Sequence, residues 1–436
     1  MRGAIMTDGP VRIVVVGGGF AVAYCVRQLE RMLRSRDVQI TLVNEHNYFV
    51  FTPLLIEAAT SALEPRHVII PLRGFLLLAR LVMASARRID FDQRVVTVQP
   101  QFGDAQELKF DHLVLALGSV TRTPNVPGVS EFAFGLKTLA DASAIRDRAI
   151  GMLEMANLAV DHVHRQSWLT FAVVGAGYTG VEAAGEFNDF LSEATRKYPN
   201  ISRSDIRVIL IQKAGRILDS LDRRMSDEAA KVLRQNGIEI HLNESISEIR
   251  ETSFTLTSGE QVACHTVIWS AGVGPPPLLA DLDLPKDSHG YLDCEPDLRV
   301  KHHSDIWGVG DCASNTDVDG NRYPPTAQHA LREGRAAAKN IAAVLGGRST
   351  KPLVYHSKGT MAPLGGRQAI ANVFNVHLTG FVAWFLWRTV YLAIMPGFGR
   401  KLRVAMDWTV NFVFRRDYSQ RGTGDNSDVR QRTTKP

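Results

Sequence analysis

An apolar stretch that ends abruptly in regularly spaced glycines constrains this chain more than any other feature. The stretch Phe171-Ala-Val-Val runs into Gly175, Gly177 and Gly180 at G-x-G-x-x-G spacing, and an amphipathic run follows. This pattern predicts a buried strand, a tight turn and a helix whose N-terminus faces the turn. The first glycine permits the turn, the second allows a pyrophosphate to approach, and the third allows tight helix packing. The exposed N–H groups and the dipole of the helix would hold the phosphate charge.

A second copy of this pattern opens the chain. The apolar run Ile13-Val-Val-Val leads into Gly17, Gly18 and Gly19, and Phe20 follows. The third fingerprint position holds Val22, which crowds the contact between helix and strand. We therefore expect a slightly different turn, or a helix that lies further from the strand. Two nucleotide-binding units in one chain suggest two nucleotide cofactors, as in a flavoenzyme.

Length and composition fit a globular protein of two or three domains. The chain has 436 residues, of which 45% are hydrophobic and 22% charged. The predicted fold class is α/β, with two Rossmann-like dinucleotide-binding domains and an amphipathic C-terminal membrane-binding region. We assign residues 10–125 and 292–347 to the first domain, 165–290 to the second, 348–418 to the C-terminal region and 419–436 to a disordered tail.

The cysteines are scattered along the chain and form no pair. Cys25, Cys264, Cys294 and Cys312 show neither a C-x-x-C motif nor metal-ligand spacing. We therefore expect a reducing compartment, no disulfide framework and no metal site. The first ten residues lack a signal-peptide pattern, so the first strand is expected to begin in the cytoplasm.

The residues that end the second strand of each unit predict nucleotide preference. In the first unit Glu45 is the candidate to bind an adenosine ribose, with Asn44 and His46 as alternative aligned positions. A solvated loop carboxylate is the other interpretation of Glu45. In the second unit Gln212 and Lys213 end the strand, where NAD specificity usually needs a carboxylate that repels a 2′-phosphate. We therefore expect NADPH to be accepted.

Three further segments are candidates for contacts with a flavin. The aromatic loop from Asn47 to Leu55 could cover a core or provide a flat surface beside a flavin ring. A short apolar run ends in Gly310-Asp311, where a carboxylate could accept hydrogen bonds from ribitol hydroxyls. Pro324 and Pro325 then precede a long Ala-rich helix that runs through Val344.

The C-terminal region is basic, aromatic and apolar at once. From residue 346 onward there are 14 Lys and Arg against 4 Asp and Glu, a local net charge of +10 against +5 for the whole chain. Phe381 to Met395 would span ~22 Å as a helix, too short for a bilayer core of ~30 Å. Leu402 to Phe414 would form an amphipathic helix with basic residues around it. We expect it to bind an anionic membrane surface rather than nucleic acid, although a core-packing or dimer helix is the alternative.

Taken in order, the motifs carry a family resemblance over nearly the whole chain. The glycine loops, the aromatic loop, Gly310-Asp311, Thr326-Ala-Gln328, Lys358-Gly-Thr and the basic, aromatic C-terminus resemble type II, non-proton-pumping NADH:quinone oxidoreductases. The resemblance implies FAD in the first unit, NAD(P)H in the second, and a quinone that reaches the flavin from the membrane side. The departures are Val22, Gln212 and Arg332, which stands where many members have a second glutamine of the quinone pocket.

The resemblance also implies site roles. Glu182 would orient the nicotinamide and help to handle protons, or be only a helix-start anion. Gln328 would contact the flavin edge or a quinone carbonyl; the alternative is a hydrogen bond at the helix N-terminus only. Lys358 would bring a proton towards reduced quinone; the alternative is an ordinary surface lysine. His329 is expected to be structural or to lie at the surface. The implied FAD contacts are Gly17, Gly18, Gly19, Phe20, Glu45, Thr52, Gly118, Gly310, Asp311, Ala327 and Gln328. The implied NAD(P)H contacts are Gly175, Gly177, Tyr178, Thr179, Gly180, Glu182, Gln212 and Gly272.

These features predict an FAD-dependent NAD(P)H:quinone oxidoreductase that works in a two-electron, ping-pong cycle without pumping protons. Because the chain has no cysteine pair to relay electrons, the flavin should reduce its acceptor directly. The expected location is peripheral, on the cytoplasmic side of the cell membrane, with a homodimer left open. The alternatives are a soluble NAD(P)H diaphorase with another acceptor, and a nucleotide-binding redox sensor with little turnover.

Overall fold

The structure is a computed structural model that describes residues 9–122, 125–159, 161–317, 319–355, 359–414 and 416–420. Lys358 lies outside these ranges. Of the tail that the sequence predicts to be disordered, 419–436, only residues 419 and 420 are described. The chain divides into two units. Unit 1 is built from residues within Met1–Phe51, Ile69–Val120 and Gly274–His356, and unit 2 from residues within Thr52–Val68, Thr121–Val273 and Ser357–Pro436.

The helices account for much of both units. They are α1 (Phe20–Met32), α2 (Leu55–Ala59), α3 (Leu72–Phe75), α4 (Val129–Phe132), α5 (Leu139–Leu158), α6 (His162–Trp168), α7 (Tyr178–Ala194), α8 (Arg223–Gln235), α9 (Ala327–Leu345), α10 (Gly380–Ile394) and α11 (Phe398–Val413). Short 3-10 helices lie at Thr52–Leu54, Pro65–His67, Arg203–Asp205, Pro277–Leu279 and Gly310–Cys312.

The strands in chain order are β1 (Val11–Val16), β2 (Val38–Asn44), β3 (Tyr48–Val50), β4 (Ile69–Pro71), β5 (Arg80–Asp90), β6 (Val95–Pro100), β7 (Gln106–Lys109), β8 (His112–Leu115), β9 (Val120–Thr121), β10 (Ala133–Phe134), β11 (Thr170–Val174) and β12 (Arg207–Gln212). They continue with β13 (Ile238–Leu242), β14 (Ile246–Ile249), β15 (Ser253–Leu256), β16 (Gln261–Ala263), β17 (Thr266–Trp269), β18 (Val273–Gly274), β19 (Leu292–Asp293), β20 (Ile306–Gly308), β21 (Ala313–Ser314), β22 (Gly359–Gly365), β23 (Gln368–Val373) and β24 (Val376–Thr379).

Unit 1 is organised around a mixed sheet with strand order β20-β8-β1-β2-β5-β6-β7. The strands from β20 to β5 are parallel, and β6 and β7 continue the sheet in antiparallel fashion. The neighbours of β1 are β2 on one side and β8 on the other, so the order of the sheet reverses at β1. In open α/β sheets, ligands bind at such a point, beyond the carboxyl ends of the strands. The loop after β1 holds the first glycine cluster.

Unit 2 repeats this arrangement with the parallel order β10-β17-β11-β12-β13. All five residues of β11 are buried, as a strand covered on both faces requires. The neighbours of β11 are β12 and β17, and the second glycine loop follows it at the equivalent switch point. The prediction of an α/β fold with two Rossmann-like units is confirmed.

The C-terminal part of unit 2 is an antiparallel sheet, β22-β23-β24, followed by α10 and α11. The sheet lies close against α7, because a Cβ atom on Gly185 would be 2.4 Å from the carbonyl carbon of Leu364. α10 contains 15 residues, and no described helix has the length and apolar character needed to cross a bilayer.

The last two helices each bury one side and leave large apolar side chains exposed on the other. α10 buries Ala383, Trp384 and Trp387, and α11 buries Val404 and Trp408. The exposed apolar face comprises Phe381, Val382, Phe385, Ile394, Phe398, Leu402, Met406, Val410, Phe412, Val413 and Phe414. We call this set the outer apolar face. Leu402, Met406, Val410 and Val413 recur at three- and four-residue intervals along α11, so they lie on one side of this helix and are exposed there.

Candidate functional site

The first glycine loop leaves the start of α1 open to a ligand. Gly17 has a φ of +129°, and a Cβ atom there would lie 2.1 Å from the carbonyl oxygen of Ala116, so only glycine fits. Gly19 is the N-cap of α1 and makes no side-chain cap hydrogen bond, and no atom lies within 4 Å of where its Cβ would be. The N–H groups of the first helical turn therefore face open space, which suits an anion.

The second glycine loop has the same design at the start of α7. Gly175 has a φ of +93°, and a Cβ on Gly180 would lie 1.7 Å from the carbonyl oxygen of Gly175. Gly177 is the uncapped N-cap residue, and the space around it is open. Tyr178 and Thr179 begin the helix. The local geometry thus has a turn at Gly175, open space at Gly177 and close helix packing at Gly180.

Val22 changes the spacing in the first loop. The equivalent residue of unit 2 is Gly180, where a side chain would collide with the carbonyl oxygen of Gly175. In unit 1, by contrast, the side chain of Val22 fits and is fully buried. The position where a Cβ of Gly17 would lie is 3.3 Å from a methyl group of Val22. The local geometry of loop and helix in unit 1 must therefore differ from that in unit 2, either through a different turn or through a more distant helix.

In both units the residue that ends the second strand contacts the glycine loop. Asn44 lies so close to Gly18 that a Cβ there would be 2.0 Å from Oδ1 of Asn44. Glu45 points elsewhere and accepts a 2.7 Å hydrogen bond from Oγ of Ser85 at the surface. Between these two candidates for the ribose position, Asn44 is the one beside the loop.

Gln212 has a comparable position in unit 2. Its Oε1 accepts a 3.1 Å hydrogen bond from the backbone N–H of Ala176, which lies between the first two glycines of the loop. Its Nε2 donates to the carbonyl oxygen of Arg216 at 3.4 Å. The loop after Gln212 borders an open cavity of about 460 Å³ that is lined by Ala214, Gly215, Arg216, Asp219, Arg223 and Asp227.

A buried hydrogen-bond network fixes the Gly310-Asp311 turn of unit 1. Oγ of Ser119 donates to the carboxylate of Asp311 at 2.9 Å. The backbone N–H of Gly310 donates to Glu333 at 2.6 Å, and Nδ2 of Asn315 donates to the same carboxylate oxygen at 2.8 Å. Burial raises the pKa of Glu333. Glu333 and Asn315 are not among the residues predicted from the sequence, because nothing in the local pattern links α9 to this turn.

The remaining predicted FAD residues occupy different environments. Phe20 packs its ring into the core against Phe49 and Phe51, with ring centroids 5.5 and 5.4 Å apart. At the helix start, only the backbone N–H of Phe20 is thus available to a ligand. Phe49 and Phe51, from the aromatic loop, cover a core. Gly118 has a φ of +70° and open space around it. Thr52 is exposed and belongs to unit 2 in the division of the chain.

Ala327 and Gln328 form the first turn of α9. The hydroxyl of Tyr355 donates to Oε1 of Gln328 at 3.2 Å. The ring of His329 lies against Tyr323 and Tyr355, and burial together with the charge of Arg332 lowers the pKa of His329. The lowered pKa favours the neutral ring of His329, and its aromatic neighbours hold the ring in place.

Four carboxylates line one face of α7, beginning directly after the glycine loop. Glu182, Glu186, Asp189 and Glu193 follow each other at intervals of four, three and four residues, so they share one side of the helix. Burial raises the pKa of Glu182 well above its usual range, and the nearby carboxylates of Glu186 and Glu57 add to the effect. Burial and Glu186 also raise the pKa of Asp189, to about 6.

The C-terminal segment supplies the cations and donors that balance these carboxylates. The guanidinium of Arg416 lies 3.4 Å from Glu186 and 3.5 Å from Glu193. Buried Glu57 accepts a 2.5 Å hydrogen bond from the indole N–H of Trp408 and pairs with Arg388 at 3.5 Å. These contacts fix α10 and α11 within unit 2. Arg416 is consequently only 14% exposed, although the sequence suggested that the basic residues would surround the apolar helix face.

Gly272 and Lys358 are the remaining residues of the predicted site. Gly272 follows β17 with a φ of +74°, and only the Cβ of Arg122 lies within 4 Å of where its Cβ would be. Gly272 therefore lies in a tight turn after β17. Because β17 is a neighbour of β11, this turn lies near the switch point of the unit 2 sheet. Lys358 is outside the described residues, so its proposed role in proton transfer stays a prediction.

The residues of unit 1 fit an FAD molecule. The open N-cap at Gly19, the uncapped N–H groups of α1 and the fixed carboxylate of Asp311 are the donors and acceptors that a pyrophosphate and a ribitol chain require. The residues of unit 2 offer an equivalent cradle at Gly177 for a second dinucleotide.

Comparison with known proteins agrees with this architecture. The sequence profile of the pyridine nucleotide-disulphide oxidoreductase family matches residues 11–334, and the profile of the NDH2 C-terminal domain matches residues 357–417. A probable NADH dehydrogenase of Dictyostelium discoideum is 32% identical over 94% of this chain and 91% of its own length.

Two further relatives and one solved structure extend the comparison. The type II NADH:quinone oxidoreductase Ndh of Mycobacterium tuberculosis is 31% identical over 92% of this chain and 88% of its own. The demethylphylloquinone reductase NdbB of Synechocystis is 31% identical over 92% and 96%. The structure of NDH2 from Plasmodium falciparum in complex with NADH superposes with a TM-score of 0.87 at 19% identity, covering 94% of this chain and 99% of that one.

Proposed function

Because this chain belongs to the type II NADH:quinone oxidoreductase family, we propose that it oxidises NAD(P)H through FAD and reduces a membrane quinone by two electrons. The resemblance inferred from the sequence is confirmed over nearly the whole chain. The single observation that carries the proposal is the pair of open glycine cradles, one in each unit, on a chain that also has the NDH2 C-terminal domain.

In unit 1 the chain's own residues would bind and orient FAD. The N–H groups of the Gly17–Gly19 loop and of the α1 start would hold its pyrophosphate, and Asp311, fixed by Ser119, would accept hydrogen bonds from the ribitol hydroxyls. Glu333 holds the Gly310 N–H and thereby sets the direction of the turn. FAD supplies the chemistry that accepts a hydride and passes on electrons.

In unit 2 the Gly175–Gly180 loop would bind the pyrophosphate of NAD(P)H. Glu182, five residues after Gly177, lies in the second turn of α7 and would face the nicotinamide end of the coenzyme. We propose that Glu182 orients the nicotinamide and that Lys358 helps to deliver a proton to the reduced quinone. One hydride from NAD(P)H and one proton from water balance the reduction of a quinone to a quinol.

The proposed reaction is tested by turnover of the purified, FAD-loaded protein with NADH and NADPH against several quinones. We expect quinone-dependent oxidation of NADH with the parallel double-reciprocal plots of a ping-pong cycle. Turnover with a soluble dye but with no quinone would instead identify a diaphorase. Bound nucleotide without turnover with any acceptor would identify a redox sensor.

We predict that NADPH is used within about tenfold of NADH, since uncharged Gln212 ends the strand where a carboxylate would repel the 2′-phosphate. Gln212→Glu should lower kcat/KM for NADPH about fivefold more than for NADH, because the carboxylate still accepts from Ala176 but adds a charge near the phosphate. Steady-state kinetics with both coenzymes measure the effect, and Lys231→Gln, an exposed change on α8, is the control. Equal losses for both coenzymes would show that Gln212 does not face the ribose.

The raised pKa of Glu182 predicts how product binding depends on pH. Below this pKa the side chain is neutral, and above it the carboxylate is charged. The nicotinamide ring is neutral in NADH and cationic in NAD⁺, so rising pH should tighten NAD⁺ binding relative to NADH by about fivefold. Inhibition constants for NAD⁺ measured across the pH range give the effect. Glu182→Gln should flatten the profile; a variant with the wild-type profile would contradict the assignment.

We further propose that the protein binds the cytoplasmic side of an anionic membrane through the outer apolar face. Large exposed apolar side chains on two neighbouring helices mark a surface that a partner covers. Arg403 is exposed at the start of α11, and Arg400 and Lys401 are half-buried beside it, which suits an anionic leaflet. A homodimer through the same face is the alternative outcome that the vesicle experiment in the Discussion separates.

A further inference from the structure

The first turn of α9 carries a group of side chains that binding of FAD does not explain. The hydroxyl of Tyr355 lies 3.2 Å from Oε1 of Gln328, and the guanidinium carbon of Arg332 lies 3.9 Å from the centroid of the Tyr355 ring. Arg332 also donates from Nη1 to the backbone oxygen of Gln328 at 2.8 Å. We call Gln328, Arg332 and Tyr355 the Gln328 clamp.

Other contacts restrict the tyrosine. The backbone N–H of Tyr355 donates to the hydroxyl of Tyr323 at 3.3 Å, and the ring of His329 meets the Tyr355 ring edge-on at 5.2 Å. His329 is itself held, because its Nδ1 lies 2.7 Å from Oγ1 of Thr326. The phenol group therefore presents its hydroxyl to Gln328 from a fixed direction.

The clamp also determines which end of the Gln328 amide is free. The tyrosine hydroxyl donates to the amide oxygen of Gln328, so that oxygen faces Tyr355. Arg332 acts through its neighbours, because it lies over the Tyr355 ring and donates to the backbone oxygen of Gln328. The amide nitrogen then points away from the clamp, and its N–H groups are available to an acceptor atom.

We propose that Arg332 and Tyr355 are positioning residues that hold the Gln328 amide as a hydrogen-bond donor to a carbonyl oxygen of the quinone. This inference rests on the proposed function. A quinone oxygen gains negative charge as it is reduced, so a pre-oriented donor stabilises the transition state more than the ground state. The clamp should therefore favour acceptors that carry a carbonyl group over acceptors that lack one.

Removal of the tyrosine hydroxyl tests the clamp. Tyr355→Phe should lower kcat/KM for a quinone about fivefold to tenfold, the effect of one orienting hydrogen bond. Turnover with ferricyanide, which has no carbonyl group, should not change, nor should the rate at which NADH reduces the bound FAD. The dissociation constant of an unreactive quinone analogue should weaken in parallel, which gives a readout without turnover.

Arg332 provides the second arm of the experiment. Arg332→Met should lower kcat/KM for the quinone about twofold to fivefold. Because both residues act through one amide, the double variant should lose no more than Tyr355→Phe alone. The matched controls are Tyr24→Phe and Arg335→Met, since Arg335 lies 4.8 Å from the ring of Tyr24 in another cation–π pair that involves α9. These controls should match the wild type.

Several results would overturn the clamp. Equal losses with quinone and ferricyanide, or independent losses that multiply in the double variant, would indicate a merely structural role. A shifted flavin absorption band with unchanged quinone kinetics would show that the amide faces the flavin instead. A wild-type enzyme that reduces ferricyanide but no quinone would defeat the proposed function as well, so the two failures are distinguishable.

Discussion

Gly177→Val is expected to abolish the use of NAD(P)H while FAD stays bound. The φ of Gly177 is −72°, which valine can adopt, and its surroundings are open, so the fold should tolerate the new side chain. The methyl groups would occupy the space where the pyrophosphate must approach. Two lost charge-assisted hydrogen bonds at about 1.5–3 kcal/mol each correspond to a hundredfold or greater rise in KM.

The equivalent change in unit 1 should have the opposite selectivity. Gly19→Val should lose FAD on desalting but still bind NADH, because Gly19 is the open N-cap residue of the first loop. Flavin absorption and NADH titration measure the two sites separately, and Gly74→Val, at another open glycine, is the control. If both loop variants kept both nucleotides, the assignment of the two cradles would be wrong.

Replacement of three exposed phenylalanines should release the protein from membranes. Phe381, Phe385 and Phe398 are 57%, 61% and 82% exposed on the outer apolar face. Since burial of one such side chain contributes about 1.5–3 kcal/mol, the triple change to serine should weaken binding to anionic vesicles on the order of a hundredfold or more. Vesicle co-sedimentation measures the effect. High salt should weaken only the electrostatic part.

Point substitutions are a cleaner test of this face than deletion of the C-terminal helices. Removal of α10, α11 and Arg416 would leave Glu57 and Glu186 as unpaired buried charges, at a cost of about 3–5 kcal/mol each. Phe102→Ser and Phe374→Ser are suitable controls, because both side chains are highly exposed elsewhere. A triple variant that still binds vesicles, but changes from dimer to monomer, would identify a subunit interface instead.

The sequence predicts those parts of the molecule that depend on short-range patterns. Glycine spacing after an apolar strand is enough to locate both cradles, because the turn and the close approach each require a glycine within three residues of the strand. The length and apolar pattern of the last two helices are local features in the same sense.

Contacts between distant parts of the chain were not accessible in this way. Glu57 meets Arg388 and Trp408 across 331 and 351 residues, and Ser119 meets Asp311 across 192. A lone glutamate in an apolar segment gives no sign of its partners. The choice between Asn44 and Glu45 beside the first loop likewise depends on side-chain direction, which strand periodicity does not specify at its last residue.

Anaerobic rapid mixing of the purified, FAD-loaded protein tests the central claim most directly. The protein is mixed first with one equivalent of NADH and then with a quinone, while the absorption of oxidised flavin is followed. We predict loss of this absorption in the first step and full return in the second, each at least as fast as steady-state turnover. Flavin that NADH does not reduce, or that a quinone does not reoxidise, would contradict the proposed function.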